Sequence, residues 1–93
     1  MKIWVDDIRT PPDNEWIWFV SSSAALDFLK LCKRNQLTVH EMSLDHDLGG
    51  EDTTRPIVLW FCEADFWPVK VNVHSANPVG IDWLEGMIER YKT

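Results

Sequence analysis

An α/β fold, with three helices on a parallel sheet of four strands in the order 2-1-3-4, is what this chain predicts, and three observations predict it. Short β-branched and aromatic runs alternate with amphipathic helical patterns, giving the order β-β-α-β-α-β-α, the pattern of a parallel sheet. Polar residues cluster directly after three of the four strand runs, at Asp6-Asp7, Asp45-His46-Asp47 and His74-Ser75-Asn77. Those clusters meet at one edge only if the strands all run the same way, and ligands of open α/β sheets bind outside the carboxyl ends of the strands.

Each element has its own signal. Lys2 to Val5 is a short β-rich run ending at Asp6-Asp7, and Arg9 to Glu15 carries Pro11, Pro12, Asp13 and Asn14, which is loop chemistry. Trp16 to Val20 is the second strand. Ser21, Ser22 and Ser23 offer N-caps for a helix through about Arg34, with Ala25, Phe28, Leu29 and Cys32 on one stripe. Val39 to Leu44 is the third strand, and Gly49 to Thr54 a loop. Pro56 suits the first turn of a second helix, where its missing N–H would be unpaired anyway. That helix runs to about Phe66 with Ile57, Leu59, Trp60, Phe61 and Ala64 as apolar positions, and Pro68 marks its end. Val69, Val71 and Val73 alternate with Lys70, Asn72 and His74 in a half-buried fourth strand. Asn77-Pro78 reads as cap and first position of a last helix carrying Ile81, Leu84, Met87, Ile88 and Tyr91.

The first connection is the strained step, because parallel crossovers usually take a dozen or more residues and this one offers about nine. A hairpin would put Asp6-Asp7 at the opposite end of the sheet from Asp45-His46-Asp47. An extended loop of this length reaches roughly 30 Å, enough to return along a short strand. Right-handed crossovers then place both internal helices on one sheet face. Ile3, Val5, Phe19, Met42 or Leu44, and the three valines line it, while Trp4, Trp18, Ser43, Lys70 and Asn72 occupy the other. Either the last helix folds back over that second face or its tryptophans are half exposed.

The 93 residues make one small domain, residues 1–93, which buries only roughly two-thirds of its unfolded surface, so six Trp and four Phe carry much of the apolar area. A net charge of -6 argues against a broad nucleic-acid surface but leaves room for a small anionic ligand in a local pocket. Cys32 and Cys62 sit in helical patterns with no metal spacing and read as reduced core thiols of a cytoplasmic protein. No run approaches the length of a membrane span. The expected state is a monomer or weak dimer without an organic cofactor.

The stretch SLDHDLGG, Ser43 to Gly50, is the densest polar feature. Carboxylates near one another repel, and a divalent cation, a partner base or a phosphoryl ligand relieves the cost. Imidazole as a side-chain type titrates near neutral pH, so His46 and His74 suit general base and general acid flanking a phosphate. The helix N-terminus after Asn77, through Gly80, is a ready anion site, and Arg9 is the cation able to hold a phosphate with two parallel hydrogen bonds. Asp6, Asp7 and Asp45 either orient the histidines or hold a divalent cation; carboxylates beside a phosphodiester are repulsive without a metal, which favours a cation on oxygen ligands, Mg²⁺ first. Asp47 stays open between support and cap. Glu51-Asp52 reads as solvated loop ahead of an extension of the site, His40 as surface, and Trp60, Trp67 and Trp83 as packing.

Asp6-Asp7 at the first strand end, Asp45 at the third and Ser75 at the fourth resemble a response-regulator receiver domain, with its flavodoxin-like sheet. That resemblance implies Mg²⁺ on the three aspartates, a phosphoryl acceptor at Asp45 and a reader at Ser75. This chain lacks room for a receiver's first helix, its fifth strand and the lysine of that strand. MKIWVDDIRTPP, SLDHDLG and HSANPVG resemble, over nearly the full length, the cyclic-phosphate-processing receiver-like family. That resemblance implies binding or hydrolysis of a cyclic phosphate on a nucleotide-type ligand or RNA end. The expected activity is a phosphoesterase with His46, His74 and Asp45 catalytic, Arg9, Ser75, Asn77 and Gly80 on the phosphate, and Asp47 in support. The alternatives are a non-catalytic sensor or interaction module and an Asp45 phosphoacceptor.

Overall fold

The computed structural model describes residues 1–92. Its elements are β1 (Lys2–Val5), β2 (Trp16–Phe19), α1 (Ser22–Arg34), β3 (Glu41–Leu44), α2 (Arg55–Ala64), β4 (Lys70–Val73) and α3 (Pro78–Tyr91). The four strands form one parallel sheet in the order β2-β1-β3-β4, with Val5 beside Phe19 and Leu44, and Leu44 beside Val73. The strands end level, so the residues that follow them emerge together.

The short first crossover closes because β1 and its loop are tied by side chains rather than by a helix. The Trp4 indole donates to the Arg9 carbonyl at 2.8 Å and the Trp18 indole to the Asp6 carbonyl at 2.7 Å. The loop therefore returns against the sheet face away from α1 and α2, the side a right-handed crossover requires. It buries Trp4, while Trp18 at the sheet edge stays 41% exposed. The last helix does not cover that face. It packs on α2 and contributes Leu84 to the core on the other side.

That core is built from alternate strand residues, Ile3, Val5, Met42 and Leu44, meeting Ala25, Leu29 and Cys32 of α1 and Ile57, Val58 and Phe61 of α2. Met42 and Leu44 both point inward, as residues two apart on a strand must. Leu59 does not join them. It lies 49% exposed, and Val58 takes its expected place on the buried stripe. Val69 is also exposed, at 63%, because β4 begins one residue later.

Side chains and chain geometry set the element ends. The Ser21 hydroxyl accepts from the Ala24 amide to start α1, and the Asn77 side chain accepts from the Gly80 amide to start α3. Helix α2 stops at Ala64, short of Phe66, because Asp65 takes a left-handed conformation and returns its N–H to the Phe61 carbonyl. Cys32 is buried and Cys62 half-buried, and neither forms a disulfide. Among the described residues no helix is long and apolar enough to cross a membrane.

Candidate functional site

The parallel register brings the three polar clusters to one edge. One carboxylate oxygen from each of Asp6, Asp7 and Asp45 lies within 4.8 Å of the others. Beside them a groove of about 420 Å³ is lined by Asp7, Ile8, Arg9, Asp45, Asp47, Gly49, Ser75, Ala76 and Asn77. Loops after β1, β3 and β4 all contribute, so the site is a product of topology rather than of any one segment.

Asp6 is the buried member of the trio. Its Oδ1 accepts from the Ile8 and Arg9 amides at 2.8 and 2.9 Å, and its Oδ2 accepts from His74 Nε2 at 3.0 Å. Burial alone would push this carboxyl up. The two amides and the His74 imidazole outweigh it and hold Asp6 below the ordinary carboxylate value. Asp7 approaches the turn closely: a β-carbon on Gly49 would stand 3.0 Å from Asp7 Oδ2. Gly49 also has φ of +86°, and it is this backbone conformation that calls for glycine. Gly50 follows at φ +57°, and the amides of Leu48 and Asp52 close the turn on the Asp52 and Gly49 carbonyls.

The far wall is the loop after β4. The Ser75 hydroxyl accepts from the Asn77 amide at 3.2 Å, and Asn77 Nδ2 donates to Asp47 Oδ2 at 3.0 Å. Hydrogen bonds from Asn77 and then His46 hold the Asp47 carboxyl below its usual value. Asp47 thus ties the turn after β3 to the cap of α3. Arg9 reaches the groove from the third side, and its guanidinium makes no salt bridge among the described residues. Gly80 does not line the groove. Its amide is taken by Asn77 Oδ1 at 3.2 Å and its α-carbon rests on the His46 ring, so the N–H expected to face a phosphate is spent on the helix cap.

The two histidines do not flank the groove. His46 is buried, donating Nδ1–H to Asp47 Oδ1 at 3.0 Å and accepting at Nε2 from Arg55 Nε at 2.9 Å. His74 is half-buried, bonded at Nε2 to Asp6 and at Nδ1 to the Ser43 hydroxyl at 2.7 Å. Its ring stacks on Trp4, with centroids 3.8 Å apart and planes 10° apart. Burial pushes the His74 imidazole below its ordinary value, against the pull of Asp6 and Asp45. An acid–base pair facing one phosphate, as expected from the sequence, is not the arrangement found. Each ring has both nitrogens engaged, His46 standing behind Asp47 of the groove and His74 behind Asp6 of the adjoining carboxylate cluster.

Three contacts in and around this site escape sequence reading. Arg55 reaches His46 because the segment after β3 doubles back as a small hairpin, with Asp47 bridged to Thr53 and the Thr54 amide on the His46 carbonyl. Arg55 also lies 4.7 Å over the Trp83 ring, joining α2 to α3. Ser43 was legible as an outer-face residue, but not as the partner of His74. Asp52, which read as solvated loop, caps α1 through the amide and hydroxyl of Ser22. His40 is a surface residue as expected, bonded to the chain's amino terminus.

Four level parallel strands, with paired aspartates after the first and a third aspartate after β3, define a receiver-like α/β domain. More particularly, the chain belongs to the family described as the cyclic-phosphate processing receiver domain, whose model matches residues 1–90. No curated protein and no solved structure matches the chain.

Proposed function

We propose that this domain is a phosphoesterase that opens a cyclic phosphate on a nucleotide-type ligand or RNA end, with a divalent cation at its carboxylate cluster. The observation that carries this reading is the convergence of Asp6, Asp7 and Asp45 within 4.8 Å beside a groove that also presents Arg9, Ser75 and Asn77. The family description supports the substrate class.

The donor set fits Mg²⁺: all three ligands are hard oxygens, and a carboxylate has about four lone-pair sites, of which Asp6 uses three on protein donors. Bound there, the cation would neutralise the acidic cluster and polarise a phosphoryl oxygen. The chain's own residues do the rest. Arg9 pairs with the phosphate, two N–H groups of the guanidinium matching two of its oxygens. The Ser75 hydroxyl and the Asn77 amide group orient the ring phosphate from the opposite wall. Asp47, bonded by Asn77 and His46, ties that wall to the turn that follows Asp45.

A second reading, a non-catalytic sensor of the same ligand, is favoured by the full engagement of both imidazoles, which leaves neither ring free to exchange a proton with the ligand. Backbone-amide NMR during titration with 2′,3′-cyclic nucleotides in Mg²⁺ tests the shared site. Saturable shifts at Arg9, Asp45, Ser75 and Asn77 are expected. Shifts confined to other surfaces would remove both readings, and conversion of the ligand during the titration separates enzyme from sensor.

A further inference from the structure

The outer sheet face carries a buried polar chain that the groove residues do not explain. Ser43 is 4% exposed and lies on β3, level with Trp4 on β1. Its hydroxyl meets His74 Nδ1, whose other nitrogen meets Asp6 Oδ2, and the Trp4 ring lies flat against the imidazole. Ser43, His74 and Asp6 form an ordered line from the face of the sheet to the carboxylate cluster. The line is not a nucleophile triad, because its serine is enclosed and the groove does not include it.

We propose that His74 is a positioning residue for the cation site, carrying its proton on Nε2 and donating it to Asp6, with Ser43 holding that tautomer and Trp4 the ring plane. The inference rests on the cation reading of Asp6, Asp7 and Asp45 given above. Its physical basis is a matter of which atoms can donate. Ionised Asp6 accepts only, so Nε2 must carry the hydrogen; a neutral ring then presents a bare Nδ1, which the serine O–H satisfies. The opposite tautomer would set a nitrogen lone pair against a carboxylate 3.0 Å away. With the Ile8 and Arg9 amides on Oδ1 and His74 on Oδ2, Asp6 can neither rotate nor offer more than one remaining lone pair. The carboxylate is thus preset before a cation arrives, and outer groups of this kind typically change metal affinity by about 10–100-fold when removed.

Two measurements on the full chain test this. Long-range ¹H–¹⁵N correlation spectra of the cation-free protein are expected to show the His74 proton on Nε2; a proton on Nδ1 alone overturns the proposal. Calorimetric titration with Mg²⁺ then compares wild type, His74→Phe, His74→Gln and Ser43→Ala, each checked for folding by circular dichroism. Phe keeps a ring against Trp4 but has no N–H, and is expected to weaken Mg²⁺ by about 10–100-fold. Gln keeps a donor at the position of Nε2 and is expected to recover most of that loss, which a purely structural role would not produce. Ser43→Ala is expected to weaken binding less than His74→Phe and to redistribute the proton between the ring nitrogens. If wild type binds Mg²⁺ and His74→Phe binds it equally well, the positioning role alone falls. If wild type shows no saturable Mg²⁺ binding, the cation reading falls and takes this role with it.

Discussion

Helix α3 contains two glycines whose replacement by alanine should have opposite effects. Gly86 is exposed, and a β-carbon added to it would meet nothing within 4 Å, whereas a β-carbon on Gly80 would overlap His46 Cγ and stand 2.7 Å from its Cβ and Cδ2. Gly86→Ala gains helix propensity alone, about 1 kcal/mol, which for a domain of this size raises Tm by roughly 4–8 °C. Gly80→Ala gains no more than that from propensity and must displace a ring pinned on one side by Asp47 and on the other by Arg55. The ring either stays and strains, at about 1–3 kcal/mol, or swings out and loses two hydrogen bonds of about 1 kcal/mol each. Taking about 2 kcal/mol for either route leaves Gly80→Ala about 1 kcal/mol less stable than wild type and about 2 kcal/mol less stable than Gly86→Ala. Differential scanning calorimetry should therefore separate the two variants by roughly 8–16 °C. A Gly80→Ala protein as stable as Gly86→Ala would refute the placement of His46 beneath α3, and with it the ordered wall of the groove.

Other consequences follow from the same contacts. Arg55→Ala should cost about 1–3 kcal/mol in urea unfolding, because it leaves His46 Nε2 buried without a donor and removes the stack on Trp83; an unchanged midpoint would contradict the pairing. The His74 imidazole sits below its ordinary value, so the unfolded chain binds a proton that the folded one resists. Stability measured in chelator should accordingly fall as pH drops from about 7 to about 5, and His74→Gln should flatten that slope, with identical slopes in the two proteins counting against it. Burial raises the Cys32 thiol above its ordinary value, so a disulfide-exchange reagent should label Cys32 only in denaturant. Fast labelling of Cys32 in the native protein would show that the α1 side of the core opens.

The sheet was legible because period-two runs and proline-rich punctuation leave few alternatives, and because parallel strands were the only way to unite Asp6-Asp7 with Asp45 and Ser75. The residues at the groove were legible for the same reason. Their internal wiring was not. Whether a histidine faces a ligand or stands behind a carboxylate depends on side-chain direction, which alternates along a strand and is redirected by each turn. His74 turns to the outer face because Ser43 and Trp4 wait there, and His46 turns inward because Gly80 leaves room for its ring. Leu59 and Val58 exchanged places for a simpler reason: neighbouring apolar residues on a helix differ by about 100° in direction, and periodicity alone did not choose between them.

The proposed activity is the opening of a cyclic phosphate beside a cation-loaded carboxylate cluster. Phosphorus NMR of 2′,3′-cyclic nucleotides and ADP-ribose cyclic phosphate, incubated with the protein in Mg²⁺ or in chelator, tests it most directly. Replacement of the cyclic diester signal by a phosphomonoester is expected in Mg²⁺, with no such conversion in chelator and none in Asp45→Asn. Unchanged diester across the whole panel, with Mg²⁺ present and the protein folded, would contradict the claim.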